Sequence, residues 1–297
     1  MRMILFLVSF FLLANTPSTL FGSDSALPEP SADQLQDALS EEDLDRLDET
    51  IETNHGIVVG TDNRARYTNN QFPWRAIGKI RFGQDAGWIC TATLVGPRHI
   101  LTNAHCIDLM YPVYFYPSYN NGDYLDKAPV ETWGTWVYWG TPTASTVTGT
   151  HVMGPGFVQQ NDWAIVVLNQ RVGDQFGWLN TAKWNSTWLN QSIWTNAGYP
   201  DAQNQNDYGE YPMRHIGCTV RANLNNYLAH DCDTGPGSSG SPIFGNLSGQ
   251  YTVVGLNNWH WGSGSQCSPY KVYVCANGAV TVDRFTSMLQ LAKTVYP

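Results

Sequence analysis

An antiparallel all-β fold finished by one C-terminal helix is what this sequence predicts, and three observations predict it. Short runs rich in β-branched and aromatic residues recur at 87–95, 99–103, 133–139, 163–168, 192–196, 251–256 and 271–275. Gly, Pro, Asn and Asp punctuate the intervals, which is the turn chemistry of consecutive antiparallel strands. A helical period appears only at the end, where Phe285, Met288, Leu289, Ala292 and Val295 recur within 283–295 behind a polar start. Residues 57–297 are long enough for one all-β domain of barrel or sandwich type.

What precedes that body has a different texture. Met1-Arg2-Met3 leads into an apolar run from Ile4 to Ala14, which reads as a secretory signal peptide over 1–23 and is too short to span a membrane. Eleven of the 25 carboxylates fall in 24–56, against the single base Arg46. Ser40-Glu41-Glu42-Asp43 begins like a capped helix with negative charge in its first turn. Placed between a leader and a globular body, residues 24–56 read as an acidic propeptide. Setting aside that segment and Arg2 leaves fourteen acids and fourteen bases. A body so nearly neutral argues against nucleic-acid and membrane-surface partners. The six cysteines all lie after residue 89, and in a secreted chain they imply up to three disulfides among fifteen possible pairings.

Three short stretches carry chemistry. Residues 233–242, Asp-Thr-Gly-Pro-Gly-Ser-Ser-Gly-Ser-Pro, form a glycine-rich loop between apolar runs. Such a loop can present a hydroxyl, that of Ser239, and aim the backbone N–H groups of Gly237 and Ser239 at a developing oxyanion. A polar hairpin loop is the plain alternative. The stretch 91–107 reads as two strands around Gly96-Pro97, with His105 following the second strand beside Cys106; alone, such a histidine is as well explained by structure. Asp162 heads the apolar run 163–168, where a capping aspartate would also fit.

Taken together, Thr102-Asn-Ala-His105-Cys106, Asn161-Asp162 and Gly237-Ser-Ser239-Gly-Ser-Pro242 occur in the order His, Asp, Ser. That order and these contexts resemble the chymotrypsin-like serine proteases. Val59-Gly-Thr-Asp-Asn-Arg-Ala-Arg-Tyr, Phe72-Pro-Trp, Gly96-Pro-Arg-His-Ile-Leu-Thr and Gly198-Tyr-Pro-Asp are similar to the glutamyl endopeptidase branch. The resemblance implies two antiparallel six-stranded β-barrels, about 57–170 and 171–282, with a C-terminal α-helix and the active site between them. It implies a zymogen-derived endopeptidase with His105, Asp162 and Ser239 as the triad and Gly237 and Ser239 as oxyanion donors. It also implies a Cys90–Cys106 bridge. Cys218 and Cys232, which flank a predicted hairpin, are the candidates for a second pair and Cys267 and Cys275 for a third; the sequence leaves the pairing beyond Cys90–Cys106 open. No cofactor is called for, since the remaining histidines show no metal-ligand spacing. The expected partner is a protein or peptide substrate, met by a monomer, with no nucleic acid and no membrane.

Two departures bear on activation and specificity. The residue before the nucleophile, an aspartate in trypsin-like enzymes, is Ser238, so the usual ion pair with a new N-terminus cannot form. Cleavage near 52–57 remains the expectation. For the residue preceding the cut bond (P1), Asp233 stands where trypsin-like enzymes bind Lys or Arg. Thr234 instead matches a threonine with which the glutamyl branch binds glutamate. That branch also uses a histidine; counting from Gly255 places Asn257 there, whereas matching His-Trp-Gly selects His260. Glutamate at P1 is the first reading and Lys or Arg the alternative. An inactive homologue serving as a binding module is a rival, as is a secreted β-sandwich binding domain.

Overall fold

The computed structural model describes residues 56–67, 71–82, 89–107, 113–124, 132–137, 161–201, 209–261 and 276–297. The signal peptide, the propeptide, the 271–275 strand, Cys267 and Cys275 lie outside the described residues. Seventeen strands follow in chain order within them. They are β1 (Ala65–Arg66), β2 (Ile77–Phe82), β3 (Ile89–Leu94), β4 (His99–Thr102), β5 (Val113–Pro117), β6 (Tyr119–Asn120), β7 (Asp123–Tyr124), β8 (Thr132–Val137) and β9 (Ala164–Leu168). After a short helix α1 (Gly173–Phe176) come β10 (Asn180–Thr181), β11 (Trp194–Gly198), β12 (Met213–Cys218), β13 (Val220–Asn223) and β14 (Tyr227–His230). The last are β15 (Pro242–Leu247), β16 (Gln250–Trp261) and β17 (Ala276–Thr281), followed by helix α2 (Thr286–Val295).

Six strands close the first barrel in the order β2-β3-β4-β9-β8-β5. Ile77, Ile80, Ala92, Leu94, Ile100, Leu101, Phe115, Ile165 and Val166 have no exposure, alternate strand positions facing the barrel interior and the elements packed outside it. The Gly96-Pro97 turn forms as expected, with the Val95 N–H donating to the His99 carbonyl at 2.9 Å. The second sheet has nine strands in the order β1-β12-β11-β15-β16-β17-β14-β13, with β10 added in parallel to β16. It curls around Trp194, Val220, Leu228, Ile243, Val254 and Ala279. Both sheets are built of short strands buried on one face or both, as runs of Val, Ile and Leu without strict alternation suggest.

Three expectations need adjusting. The second unit, expected as a six-stranded barrel, is a curled nine-stranded sheet, because β1 from the N-terminal segment and the short parallel β10 add to it. Residues 57–66 were expected in the first barrel, but β1 pairs with β12, Ala65 opposite Arg214, and so joins the second sheet. The reason is local: 56–64 form no strand, and their backbone groups find partners on the second sheet, as detailed below. The C-terminal helix is shorter than its period, with a 3-10 turn at Val282–Arg284 preceding α2. Phe285 packs on Trp163, ring centroids 5.6 Å apart, and Leu289 and Ala292 are buried. Met288 and Val295 share the period yet stay exposed, because only one narrow edge of the helix faces the body.

Candidate active site

Strand register brings the first two candidate residues together. β4 and β9 are antiparallel, with Thr102 opposite Ala164. His105 lies just past the end of β4, in the 3-10 turn Ala104–Cys106, and Asp162 lies just before β9. Both leave the same end of the barrel. The Cys90–Cys106 disulfide, Cα atoms 6.0 Å apart, ties the histidine turn to β3. His105 Nδ1 is 2.7 Å from Asp162 Oδ2, and the His105 backbone N–H donates to Oδ1 at 3.0 Å. A carboxylate facing Nδ1 holds the proton on that nitrogen and leaves Nε2 as the acceptor in the neutral ring.

Asp162 is surrounded by donors. Asn258 Nδ2 donates to its Oδ2 at 3.2 Å, and Asn103 Nδ2 donates to its backbone carbonyl at 2.8 Å. The Tyr227 hydroxyl, in turn, donates to Asn258 Oδ1 at 2.6 Å. Burial pushes the Asp162 carboxyl up, but the His105 charge and the hydrogen bonds from His105 and Asn258 outweigh it. The group is held below the usual carboxylate range. Burial, reinforced by the Asp162 charge, raises Tyr227 well above its ordinary value, so its hydroxyl keeps its proton. Asn258 and Tyr227 are contributors that the sequence reading missed. The available signal was the polar pair Asn257-Asn258 inside an otherwise apolar strand.

Ser239 arrives from the second sheet, in the loop between β14 and β15. The Thr91 N–H, on β3 of the first barrel, donates to the Ser239 carbonyl at 2.8 Å, and Thr91 Oγ1 donates to the Gly237 carbonyl at 3.0 Å. From the other side, the Gly240 N–H donates to the Asn257 carbonyl at 2.9 Å and Asn257 Nδ2 donates to the Ser238 carbonyl at 3.2 Å. Asn257 therefore supports the loop from beneath. Glycine is required at two positions. Gly237 has φ +91° and Gly240 φ +80°; a Cβ at the first would overlap the Tyr199 carbonyl oxygen, and at the second the Thr91 carbonyl and Thr102 Oγ1. Within this loop the N–H groups of Ser238, Gly240 and Ser241 are bonded to carbonyls. Those of Gly237 and Ser239 donate to no acceptor among the described residues.

The residues read for specificity converge on the start of the described chain. The Gly56 N–H donates to His260 Nδ1 at 3.0 Å. Ile57 exchanges bonds with Asn277, its N–H donating to Oδ1 at 3.0 Å and its carbonyl accepting from Nδ2 at 2.8 Å. Thr234 donates through its N–H to the Ile57 carbonyl at 3.0 Å and through Oγ1 to Asn277 Oδ1 at 2.8 Å. Burial lowers the His260 imidazole to about 4, so at neutral pH it is an uncharged ring with Nδ1 accepting and the proton on Nε2. Asp233 is fully buried, and both its oxygens are engaged: Oδ1 by the Val59 N–H and Oδ2 by the Asn63 N–H, each at 2.8 Å. It is not an open carboxylate waiting for a cation. Asn277 has no counterpart in the sequence reading. Cys218–Cys232 closes as expected, Cα atoms 4.8 Å apart, just before Asp233.

Known proteins bear out this architecture. A glutamyl endopeptidase of Bacillus licheniformis is 25% identical over 202 residues, which are 67% of this chain and 58% of that relative, so the chain spans little more than half of its length. A Glu endopeptidase solved in complex with MPD superposes with a TM-score of 0.60 at 24% identity, covering 80% of this chain and 100% of the other. The protease Anisep of Arthrobacter nicotinovorans gives 0.51 at 21% identity over 73% and 93% of the two chains. These structural likenesses establish the fold: two curled antiparallel sheets with a C-terminal helix. The model of the family described as Trypsin matches residues 59–281, which take in the histidine turn, the strand headed by Asp162 and the serine loop alike; the chain belongs to that family.

Proposed function

We propose that this chain is a secreted serine endopeptidase, made with a signal peptide and an acidic propeptide, that hydrolyses peptide bonds through an acyl-enzyme. The observation that carries the reading is the 2.7 Å approach of His105 Nδ1 to Asp162 Oδ2, at the barrel mouth where Thr91 holds the Ser239 loop. Ser239 Oγ attacks the scissile carbonyl while His105 Nε2 takes its proton. The carbonyl oxygen becomes an oxyanion that accepts from the Gly237 and Ser239 N–H groups, which nothing else among the described residues uses. Collapse of this intermediate breaks the C–N bond, and His105 returns the proton to the departing amine. Water then repeats the sequence on the acyl-enzyme and frees Ser239. Asp162 stays ionised throughout and stabilises the imidazolium. Both halves are needed, since the base and its carboxylate sit on the first barrel and the nucleophile on the second sheet.

Glutamate at P1 is the preference we assign. The glutamyl endopeptidases among its relatives favour it, and so does the setting of His260 against Gly56, next to the Ile57 carbonyl that Thr234 holds. A neutral His260 whose Nδ1 accepts from Gly56 offers Nε2–H as a donor to a carboxylate. Lys or Arg preference through Asp233 is disfavoured, because that carboxylate already holds two backbone N–H groups. Peptides varied at P1, cut by the matured protein with Ser239→Ala as control, test both points. Cleavage after Glu that vanishes in the control is the expected result. Cleavage after Lys or Arg overturns the specificity and leaves the reaction standing. No cleavage and no labelling by a fluorophosphonate turns the reading toward an inactive homologue.

A further inference from the structure

The stretch 232–237 builds both the Thr234 side of the pocket and the Gly237 end of the nucleophile loop, yet it belongs to no strand. Cys232, Asp233, Thr234 and Gly235 are nevertheless buried. Buried backbone groups outside a ladder need partners from elsewhere, and here the partners come from another irregular segment, 56–64. The Thr234 N–H donates to the Ile57 carbonyl at 3.0 Å, and Arg64 Nη1 donates to the Thr234 carbonyl at 3.0 Å. The Cys232 and Ile57 carbonyls share Asn277 Nδ2, each at 2.8 Å. Asp233 receives Val59 and Asn63, as above. Arg64 is itself aimed by Asp62, with Nε on Oδ1 at 2.9 Å and Nη2 on Oδ2 at 2.7 Å. His215 closes the far side: its Nδ1 accepts the Asp233 N–H at 2.8 Å. That nitrogen therefore carries no proton, and its 3.2 Å approach to Oδ2 is a contact rather than an ion pair in the neutral ring.

From this geometry we infer that Asp233 is a positioning residue, the socket that clamps segment 56–64 against 232–237 and so keeps the substrate pocket and the oxyanion loop in their working shape. The inference deepens the endopeptidase reading and rests on it for its kinetic consequence. It also accounts for Ser238. With no acid at 238, where Ser238 Oγ only accepts from the Gly235 N–H at 3.3 Å, the carboxylate that fastens the N-terminal segment stands at 233. It receives main-chain N–H groups of residues inside the segment, not a terminal ammonium. A carboxylate accepting two backbone N–H bonds away from water is a strong and directional fastening. Losing it leaves the buried Val59 N–H without its acceptor, while the Asn63 N–H lies at the exposed edge of the contact.

The test compares the full chain, as expressed and matured, with Asp233→Asn, Arg64→Ala and Arg64→Lys, by peptide kinetics and by amide hydrogen exchange. In Asp233→Asn one of the two N–H groups must face an amide NH2. The expected result is a fall in kcat/KM of roughly 10- to 100-fold with the P1 ranking unchanged. Exchange protection should be lost at 56–64 and 232–238 and kept in the first barrel. Arg64→Ala should loosen the same two segments, and Arg64→Lys, which keeps a donor toward the Thr234 carbonyl, should restore most of the protection. Unchanged exchange at 232–238 in both Asp233→Asn and Arg64→Ala overturns the clamp. So does an Asp233→Asn protein that loses only Lys or Arg cleavage, because Asp233 would then be a substrate ligand. Should Asp233→Asn fail to fold, the two Arg64 variants decide. A parent protein that neither cleaves nor labels refutes the endopeptidase reading instead, and the exchange data still judge the clamp.

Discussion

Asp162 shows at the residue scale how a buried carboxylate is kept charged and aimed. One oxygen meets the His105 main chain and the other meets both the His105 ring and Asn258, whose orientation is set in turn by the Tyr227 hydroxyl. Each bond to the charged group contributes on the order of 1.5–3 kcal/mol. Replacing the carboxylate by its amide, Asp162→Asn, leaves the shape but presents an NH2 or a neutral oxygen to Nδ1 and favours the wrong tautomer. A fall in kcat of about 10⁴ is expected. Asn258→Ala removes one donor to Asp162 together with the amide that the Tyr227 hydroxyl orients, so a smaller loss of roughly 10- to 100-fold is expected. Steady-state kinetics on one peptide checks both; equal losses in the two variants would mean that Asn258 does more than orient Asp162.

At the scale of elements, one crosslink closes the β13–β14 hairpin and leads into the loop after it. Cys218–Cys232 closes a loop with a sequence separation of 14 residues, and Cys232 leads directly into Asp233. Closing a loop of that length is worth roughly 3 kcal/mol. Joint replacement of Cys218 and Cys232 by serine should cost about that much in stability measured by denaturant. The damage should be uneven: activity should fail at lower urea than the amide-exchange protection signal of the first barrel. Coincident loss of both signals would show the hairpin and the first barrel unfolding as one unit. The Cys90–Cys106 bridge does comparable work for the histidine turn, so each half of the site has its own fastening.

For the whole molecule, the interface between the barrels and the buried histidines matter most. Lys79, fully buried on β2, pairs with Glu210 of the second half at 2.6 Å, and Tyr119 donates to the other Glu210 oxygen. Thr91 joins the halves at the nucleophile loop and accepts the Tyr199 N–H at 3.0 Å. Acid should undo this assembly in a defined window. Burial lowers His260 to about 4, His230 to about 3, and His99 below its ordinary value. In the unfolded chain these imidazoles titrate near ~6.5, so between those values the unfolded state binds more protons. Stability therefore falls as pH drops from ~6.5 toward 4 and below. Loss of ionised Asp162, whose folded value is depressed, acts in the same direction at still lower pH. Melting temperature measured from pH 7 to pH 4 should decline, with a shallower slope in His230→Leu. A midpoint independent of pH over that range would contradict the burial of these rings.

The sequence by itself determined the antiparallel β class, the C-terminal helix and the contexts in which the three candidate residues sit. Those features are local: β-branched runs, glycine turns and a 3.6-residue period are written in neighbouring residues. His105 after β4, Asp162 before β9 and Ser239 in a glycine loop could therefore be placed without coordinates. What only the tertiary structure decided are contacts between residues far apart in the chain. Asn258 beneath Asp162, Asn277 between Ile57 and Cys232, and the two hydrogen bonds that Asp233 accepts from the Val59 and Asn63 N–H groups have no local signature, because they satisfy polar groups across separate segments. The same physics moved residues 57–66 to the second sheet and made Asp233 a fastening rather than an open pocket charge: a buried carboxylate needs donors, and the nearest ones were the backbone N–H groups of the N-terminal segment.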